Sequence, residues 1–345
     1  MQPEQCRRRT PEVVSRRRST SLKKPLVSRE PGTTKSDVIA RADVDKAARR
    51  IAGLTRLTPV LKADAFPGEV WFKCEFMQHT GTFKARGALN RILASKERGE
   101  LDSTAGVVVA SGGNAGLANA YAAAQLGVPA TVFVPAAAPA VKVRKLEAIG
   151  ATVIQGGAEY AEAYQAAVEH ARRAGAVYCH AYDQPEIAAG AGTVGTELLE
   201  QIAGVDTVLV AVGGGGLMAG IAAAVEGRAR VVGVEPRNAP TLHSALAAGV
   251  PVDVAVSGVA ADSLGARRIG DIGFSVAVRT GVESVLVSDD DIIAARSLLW
   301  NDYRLVVEHG AAAAFAALTS RAFVPTADER AAVILCGANT DPATL

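Results

Sequence analysis

The chain has few cysteines and few aromatic residues, and it has no long hydrophobic run. Cys6, Cys74, Cys179 and Cys336 lie far apart and form no Cys-x-x-Cys pair, so we expect neither a structural zinc site nor a disulfide framework. Glycine, proline or charged residues interrupt every apolar stretch before the roughly 18 residues that a membrane span needs. We therefore expect a cytoplasmic protein that does not bind a membrane.

The sequence also lacks a large net charge, because 37 basic residues balance 35 acidic ones in a chain of 345. The distribution is uneven: residues 1–36 hold ten Lys or Arg, three Glu and no aromatic residue. Such a segment cannot bury enough apolar surface to fold, so we predict a disordered basic tail over residues 1–36. The rest of the chain is net acidic, which argues against a nucleic-acid partner.

Glycine is abundant, with 34 residues. Alanine is also abundant, mainly in predicted helical stretches that alternate with short β-rich runs. This alternation predicts an α/β fold with parallel sheets covered by helices. One such series covers residues 107–174 and a second covers residues 194–335, with a helix expected to begin at Val194. Two series predict two α/β domains, with a ligand cleft beyond the carboxyl ends of their strands.

A run of four glycines, Gly213 to Gly216, joins a predicted strand to a predicted helix. Backbone N–H groups without side chains approach an anion closely, and a helix N-terminus adds positive partial charge, so the loop suits a phosphate. The loop also fits the dinucleotide pattern Gly-x-Gly-x-x-Ala, and Glu235 follows where a ribose-binding acid belongs. A tight turn, a nicotinamide dinucleotide and a simpler phosphate-bearing cofactor all stay open on this loop alone.

Three other segments carry reactive groups, and each has an ordinary structural alternative. Lys84, beside Phe83, is either a solvated lysine or a desolvated one that forms a Schiff base. Ser111 to Gly116 follows a predicted strand and is either a helix N-cap or a carboxylate site. Cys336 follows the last predicted strand, where a buried structural thiol is the usual case.

Considered together, these motifs resemble a known family. T-G-T-F-K-A-R-G-A-L-N at residues 80–90, S-G-G-N-A-G at 111–116, V-G-G-G-G-L at 212–217 and L-C-G-A-N at 335–339 are similar to the fold type II pyridoxal-phosphate enzymes. Within that group the chain resembles the L-serine/L-threonine dehydratases from about residue 42 to its end. Leu57-Thr58-Pro59-Val60 and Val307-Glu308 belong to the resemblance as well, without an assigned role.

The resemblance implies a tryptophan-synthase-β-like α/β fold of two interleaved open parallel-sheet domains with the active site between them. A large cofactor-binding domain is expected over residues 37–78 plus 182–345, and a small domain over residues 79–181 is inserted in it.

The resemblance also assigns roles to individual residues. Lys84 is the Schiff-base lysine that removes the substrate Cα proton, Phe83 stacks on the cofactor ring, Asn114 bonds the ring hydroxyl, and Cys336 faces the pyridine nitrogen. The phosphate is expected to lie on the glycine loop, which is formed by Gly213, Gly214, Gly215, Gly216 and Leu217. The substrate carboxylate is expected to contact Thr80, Ser111, Gly112, Gly113, Asn114 and Ala115.

The implied reaction is α,β-elimination of L-serine or L-threonine through an aminoacrylate, which gives pyruvate or 2-oxobutanoate and ammonia. Serine racemase and threo-3-hydroxyaspartate dehydratase are alternatives on the same fold, and a nicotinamide oxidoreductase is the alternative from another class. Serine racemases carry a serine where this chain has Gly112, so racemisation is at most a side reaction.

Relatives also bind a monovalent or divalent cation after the strand that follows the glycine loop. The corresponding residues here are Glu235, Ala239 and Thr241. A solvated glutamate in an ordinary loop is the alternative at this place. The expected partners are a hydroxy amino acid and a second copy of the chain in a homodimer.

Overall fold

The computed structural model describes residues 38–64 and 66–344, so the predicted tail over residues 1–36 lies outside the described residues. Within those ranges the strands form two open sheets. The six-stranded sheet has the order β1-β2-β10-β7-β8-β9, and the four-stranded sheet has the order β5-β4-β3-β6. The strands are β1 (Val60–Ala63), β2 (Glu69–Lys73), β3 (Val107–Ala110), β4 (Ala130–Val134), β5 (Thr152–Gln155), β6 (Val177–Tyr178), β7 (Thr207–Ala211), β8 (Arg230–Pro236), β9 (Glu283–Val287) and β10 (Arg330–Ile334).

Helices cover the faces of both sheets, and no helix of the described ranges is long and apolar enough to cross a membrane. They are α1 (Arg41–Arg50), α2 (Lys84–Glu97), α3 (Asn114–Gln125), α4 (Ala140–Glu147), α5 (Tyr160–Ala174), α6 (Pro185–Gln201), α7 (Gly216–Val225), α8 (Thr241–Ala248), α9 (Asp271–Thr280), α10 (Asp289–Tyr303) and α11 (His309–Thr319).

The predicted α/β fold with parallel sheets is confirmed, with two differences. Strand β1 pairs antiparallel with β2 at the edge of the large sheet, whereas the other strand pairs are parallel. Helix α6 begins at Pro185 and not at Val194. The sequence concealed its first turns because Gly190 and Gly192 weaken a helical pattern, and tertiary packing overrides that weakness.

Glycines on α6 bring three helices into backbone contact. A Cβ on Gly192 would lie 2.5 Å from the Gly220 carbonyl oxygen of α7, and a Cβ on Gly190 would lie 2.7 Å from the Arg86 carbonyl oxygen of α2. Side chains at these positions would force the helices apart. The small residues therefore let α2 and α7 pack against the same helix, α6. Helix α2 begins at Lys84, and helix α7 begins in the glycine loop.

A buried ionic network anchors α2 to the large sheet. The Arg86 guanidinium is 1% exposed and reaches both oxygens of the fully buried Glu75, with Nε 2.6 Å from Oε1. Its Nη1 lies 2.6 Å from Glu197 Oε1 on α6, and Lys73 Nζ lies 2.8 Å from Glu197 Oε2. Burial alone would raise the pKa of Glu197, but the hydrogen bonds and charges of Arg86 and Lys73 lower it overall.

Replacing Arg86 by methionine should therefore destabilise the fold strongly. The buried Glu75 carboxylate would lose its counter-charge, which costs about 3–5 kcal/mol of unfolding free energy. Urea denaturation measures the loss, and Arg86→Lys should retain part of the stability because it keeps the charge. The exposed Arg172, paired with Glu169 on α5, supplies the control Arg172→Met, for which we expect no measurable change. An Arg86→Met protein as stable as the unchanged chain would contradict this account of the network.

Candidate active site

Backbone pairing places Lys84 beside the end of β10. Residues Thr82 and Gly337 form an antiparallel bridge, Phe83 N donates to Cys336 O at 3.1 Å, and Ala338 N donates to Gly81 O at 2.9 Å. These bonds fasten the loop that precedes α2 to the loop that follows β10. Two motifs that are more than 250 residues apart in the sequence therefore form one wall of a cleft.

The Lys84 amine is held in this cleft by few polar groups. Its Nζ lies 3.3 Å from Ala181 O and 4.7 Å from the centroid of the Phe83 ring. Burial lowers the pKa of Lys84, while the nearby Cys336 and Glu308 oppose that shift. Burial therefore makes the amine easier to deprotonate, and the neutral amine is the form that a nucleophile or a proton acceptor requires.

Asn114, the first residue of α3, belongs to a hydrogen-bonded chain that the sequence interpretation missed. Its Nδ2 donates to both carboxylate oxygens of Glu308 at 3.0 Å, and its Oδ1 accepts from Asn339 Nδ2 at 2.8 Å. Asn339 also donates to Thr80 O at 2.9 Å. Both ends of the Asn114 amide are thus fixed, so the side chain has one orientation in the cleft. Glu308 and Asn339 lie within the sequence motifs Val307-Glu308 and L-C-G-A-N. Their place in these motifs was the one signal in the sequence that pointed to them.

Two titratable groups beside Lys84 have pKa values above their ordinary values. Burial raises the pKa of Glu308 to about 6, although the Asn114 hydrogen bond and the Lys84 charge oppose it. Burial also raises the pKa of the Cys336 thiol to about 12, and the Glu308 charge adds to that shift. The buried Cys336 thiol is therefore neutral at physiological pH.

The residues predicted to hold a substrate carboxylate lie at two loops of this cleft. Ser111, Gly112 and Gly113 connect β3 to α3, with Gly113 N donating to Ser111 Oγ at 3.3 Å. Thr80 has a left-handed backbone with φ 64°, unusual for a residue with a branched side chain, and its buried Oγ1 has no hydrogen-bond partner. A residue with a strained backbone and an unpartnered hydroxyl is typical of a ligand-binding site.

The glycine loop, Gly213 to Leu217, connects β7 to the N-terminus of α7. The Tyr182 ring lies so close that a Cβ on Gly214 would approach it to 2.3 Å. Gly215 adopts φ +87°, a conformation that side chains disfavour. Because the first N–H groups of a helix have no partner within it, this end of α7 offers donors and positive partial charge to a phosphate.

The residues predicted to bind a cation lie behind the glycine loop. Thr241 Oγ1 is 2.6 Å from Gly213 O and 3.0 Å from Glu235 Oε1, while Ala239 is buried next to them in the sequence. The Glu235 carboxylate accepts from Leu242 N and His243 N at the start of α8, and burial raises its pKa to about 7. Among the residues that the structure describes, no group of three or more His, Cys, Asp or Glu forms a metal-binding cluster.

One narrow pocket is lined by Lys84 and Phe83 as well as by Gly216 and Leu217 of the loop. A lysine whose pKa is lowered by burial therefore shares a cleft with a helix N-terminus of the kind that suits an anion. These two features define a class of α/β enzymes that attach a phosphate-bearing aldehyde to a lysine.

Comparison with known proteins supports this class. Residues 51–337 match a family described as pyridoxal-phosphate dependent enzyme. An L-threonine ammonia-lyase of Geobacter sulfurreducens is 37% identical over 309 residues, which are 88% of this chain and 76% of that protein. A phenylserine dehydratase of Ralstonia pickettii is 37% identical over 306 residues, 86% of this chain and 91% of that protein. Serine racemase from Dictyostelium discoideum superposes with a TM-score of 0.81 at 31% identity, covering 88% of this chain and 99% of that chain. The chain belongs to the family of pyridoxal-phosphate dependent enzymes.

The raised pKa of Glu308 gives the cofactor-free protein a specific pH dependence. Because the folded-state pKa of about 6 lies above the ordinary 4.5, Glu308 contributes stability at pH values below 4.5 that is lost as pH rises through 6. The unfolding free energy of the unchanged protein should therefore fall relative to that of Glu308→Gln over this interval. Urea denaturation across the interval measures the difference, with Glu169→Gln on the exposed face of α5 as control. A difference that does not vary with pH would contradict the burial of Glu308.

Proposed function

We propose that the chain is an ammonia-lyase that eliminates water from L-threonine or L-serine and then releases ammonia, with one water consumed when the resulting imine hydrolyses. The observation that supports this proposal most directly is that two buried groups lie near each other. Burial lowers the pKa of the Lys84 amine, and the Cys336 thiol stays neutral. The similarity to the Geobacter L-threonine ammonia-lyase supports the choice of substrate class. The products are a 2-oxoacid and ammonia.

The residues of the cleft fit pyridoxal phosphate. We propose that the N–H groups of Gly213 to Leu217 bind its phosphate and that Asn114, fixed by Glu308 and Asn339, bonds its ring hydroxyl. Phe83 would pack on the ring, and Lys84 would hold the aldehyde carbon. When bound, the cofactor supplies an electron-withdrawing ring that stabilises negative charge at the substrate Cα.

Lys84 is the group proposed to take the Cα proton. Its neutral amine is favoured by burial, and it has one carbonyl acceptor, Ala181 O, among the described residues. Thr80 Oγ1 and the amides from Ser111 to Ala115 would hold the substrate carboxylate, which orients the Cα proton toward the amine.

We propose that Cys336 favours elimination over reactions that need a long-lived carbanion. A neutral thiol does not keep the pyridine nitrogen protonated, whereas a carboxylate at this position would. Charge at Cα is then less stabilised, which favours prompt loss of the β-hydroxyl. This preference supports elimination over racemisation.

The first test is a 2-oxoacid release assay with L-threonine, L-serine, their D isomers, threo-3-hydroxyaspartate and phenylserine. We expect turnover of L-threonine or L-serine, and a loss of about 10²–10⁴-fold or more in Lys84→Ala because the proton acceptor is gone. Lys96→Ala, at the exposed end of the same helix, is the matched control and should be fully active. A visible absorbance that survives dialysis and disappears in Lys84→Ala excludes a nicotinamide oxidoreductase, whereas hydride transfer to a nicotinamide would overturn the proposal.

A second test addresses racemisation. Gly112 presents no group that exchanges a proton, so we expect no more than trace conversion of L-serine to D-serine. Gly112→Ser should increase this conversion, because its hydroxyl would add a second group that can exchange a proton with the substrate. A Cβ at this position would lie 3.2 Å from Val134 Cγ1, which is a tight contact. Gly112→Ala makes the same contact but has no hydroxyl, so it is the control. Equal D-serine formation in the two variants would refute the role assigned to this position.

Four further features are proposals of the same kind. We propose that residues 37–78 plus 182–345 form the large domain and residues 79–181 the small one, which the strand membership of the two sheets supports. We propose a homodimer, supported by the exposed Leu57, which precedes the edge strand β1, and the exposed Leu61 within that strand. A cytoplasmic location is supported by the buried free thiols of Cys74, Cys179 and Cys336. A cation at Glu235, Ala239 and Thr241 would lie next to the glycine loop, since Thr241 Oγ1 donates to Gly213 O.

A further inference from the structure

A buried arginine of α10 has no place in the site described so far. Arg296 is 3% exposed, yet in the ranges that the structure describes its guanidinium forms no ion pair with a carboxylate. Burial lowers its pKa. Because a buried guanidinium without a counter-charge costs stability, the hydrogen bonds that it makes indicate what the residue does.

Four hydrogen bonds connect this guanidinium to two segments of the chain. Arg296 Nε donates to Val307 O at 2.9 Å, and its Nη2 donates to Thr340 Oγ1 at 3.0 Å. Thr344 accepts twice, through its carbonyl oxygen from Nη1 at 2.9 Å and through its Oγ1 from Nη2 at 3.0 Å. A planar guanidinium presents its N–H groups in fixed directions, so these acceptors are held at fixed positions relative to α10.

Two of the acceptors lie next in sequence to the two partners of Asn114. Val307 directly precedes Glu308, whose carboxylate accepts from Asn114 Nδ2 at 3.0 Å. Thr340 directly follows Asn339, whose Nδ2 donates to Asn114 Oδ1 at 2.8 Å. The guanidinium therefore bonds the neighbour of each residue that orients the Asn114 amide.

The two segments are also joined directly, but by a contact that leaves freedom. Glu308 N donates to Gly337 O at 3.0 Å. One hydrogen bond lets one segment rotate relative to the other. The Arg296 bonds to Val307 O and Thr340 Oγ1 add a second point of attachment on each segment. With both attachments in place, the separation between the carboxyl group and the amide that contact Asn114 is fixed.

We propose that Arg296 is a positioning residue that supports the hydrogen-bonded chain of Glu308, Asn114 and Asn339 from the side of α10. This inference rests on the proposed function, in which Asn114 bonds the ring hydroxyl of the cofactor. Arg296 acts through that amide and not by contact with the cofactor or the substrate. Without the guanidinium, Glu308 and Asn339 lose their common support, the Asn114 amide loses its single orientation, and the cofactor binds more weakly.

The first experiment follows amide hydrogen exchange in the cofactor-free protein. In Arg296→Met, peptides that cover residues 307–310 and 336–340 should exchange about tenfold faster or more, because losing a hydrogen bond to a charged group favours local opening by about that factor. Peptides that cover the glycine loop, Gly213 to Leu217, should exchange as in the unchanged chain. Unaltered exchange over residues 307–310 and 336–340 would overturn the proposal whatever cofactor or substrate the protein binds.

The second experiment measures the dissociation constant of pyridoxal phosphate in a double-mutant cycle. Arg296→Met alone should raise this constant by about tenfold or more. In an Asn114→Ala background the same substitution should change it by less than about twofold, because the amide through which Arg296 acts is gone. Equal effects of Arg296→Met in the two backgrounds would refute the positioning role.

The single variants separate this inference from the proposed function. If Asn114→Ala binds the cofactor as tightly as the unchanged chain, the role proposed for Asn114 is wrong and this inference falls with it. If Asn114→Ala weakens binding and Arg296→Met does not, this inference alone is overturned. Should Arg296→Met fail to fold, Thr340→Val removes one acceptor of the guanidinium and should weaken cofactor binding in the same direction.

The matched control is Arg230→Met at the start of β8, which is the edge of the large sheet opposite the carboxyl ends of its parallel strands. Arg230 Nε donates to Thr207 Oγ1 at 2.7 Å, and its Nη2 lies 2.8 Å from Glu329 Oε1. Its replacement should lower the urea midpoint, as Arg296→Met does, but leave the cofactor dissociation constant within about twofold. Equal weakening of cofactor binding in the two variants would reduce the effect of Arg296 to a general loss of stability and would overturn the proposal.

Discussion

The backbone bridge between residues 81–83 and residues 336–338 is the constraint on which the site depends. Phe83 N to Cys336 O and Ala338 N to Gly81 O set the start of α2 beside the end of β10, and Glu308 N bonds Gly337 O at 3.0 Å. Three distant segments are thereby brought to one wall, so the amine, the thiol and the carboxyl group influence one another. The Arg86 network also joins α2 to Glu75, which follows β2, and to Glu197 of α6.

Much of this architecture was accessible from the sequence, because it depends on local patterns. The buried strands β3 and β7 read as continuous apolar runs, as expected of strands covered on both faces, and the glycine loop lay where a strand meets a helix. The antiparallel edge strand β1 escaped because its four residues show no clear alternation. Glu308 was not identified for a different reason: its importance lies in a contact with Asn114 across 194 residues, which leaves no local pattern.

Two buried lysines show how environment decides function. Lys73 is completely buried, and its ammonium has three acceptors, namely Thr58 O, Glu197 Oε2 and Gln201 Oε1. Burial lowers the pKa of both lysines, but the Glu197 hydrogen bond and charge stabilise the charged form of Lys73. Lys84 faces a raised-pKa carboxyl group and a neutral thiol and has one carbonyl acceptor. The first lysine therefore stabilises the fold, and the second is the one that we propose as the reactive amine.

This contrast leads to the measurement that tests the account most directly. The holoenzyme is reduced with borohydride, digested and analysed by mass spectrometry to find which lysine carries the phosphopyridoxyl group. The account predicts modification of the peptide that contains Lys84, with Lys73 unmodified. A modified Lys73, modification spread over surface lysines, or no modified peptide would contradict the central claim that Lys84 holds the cofactor.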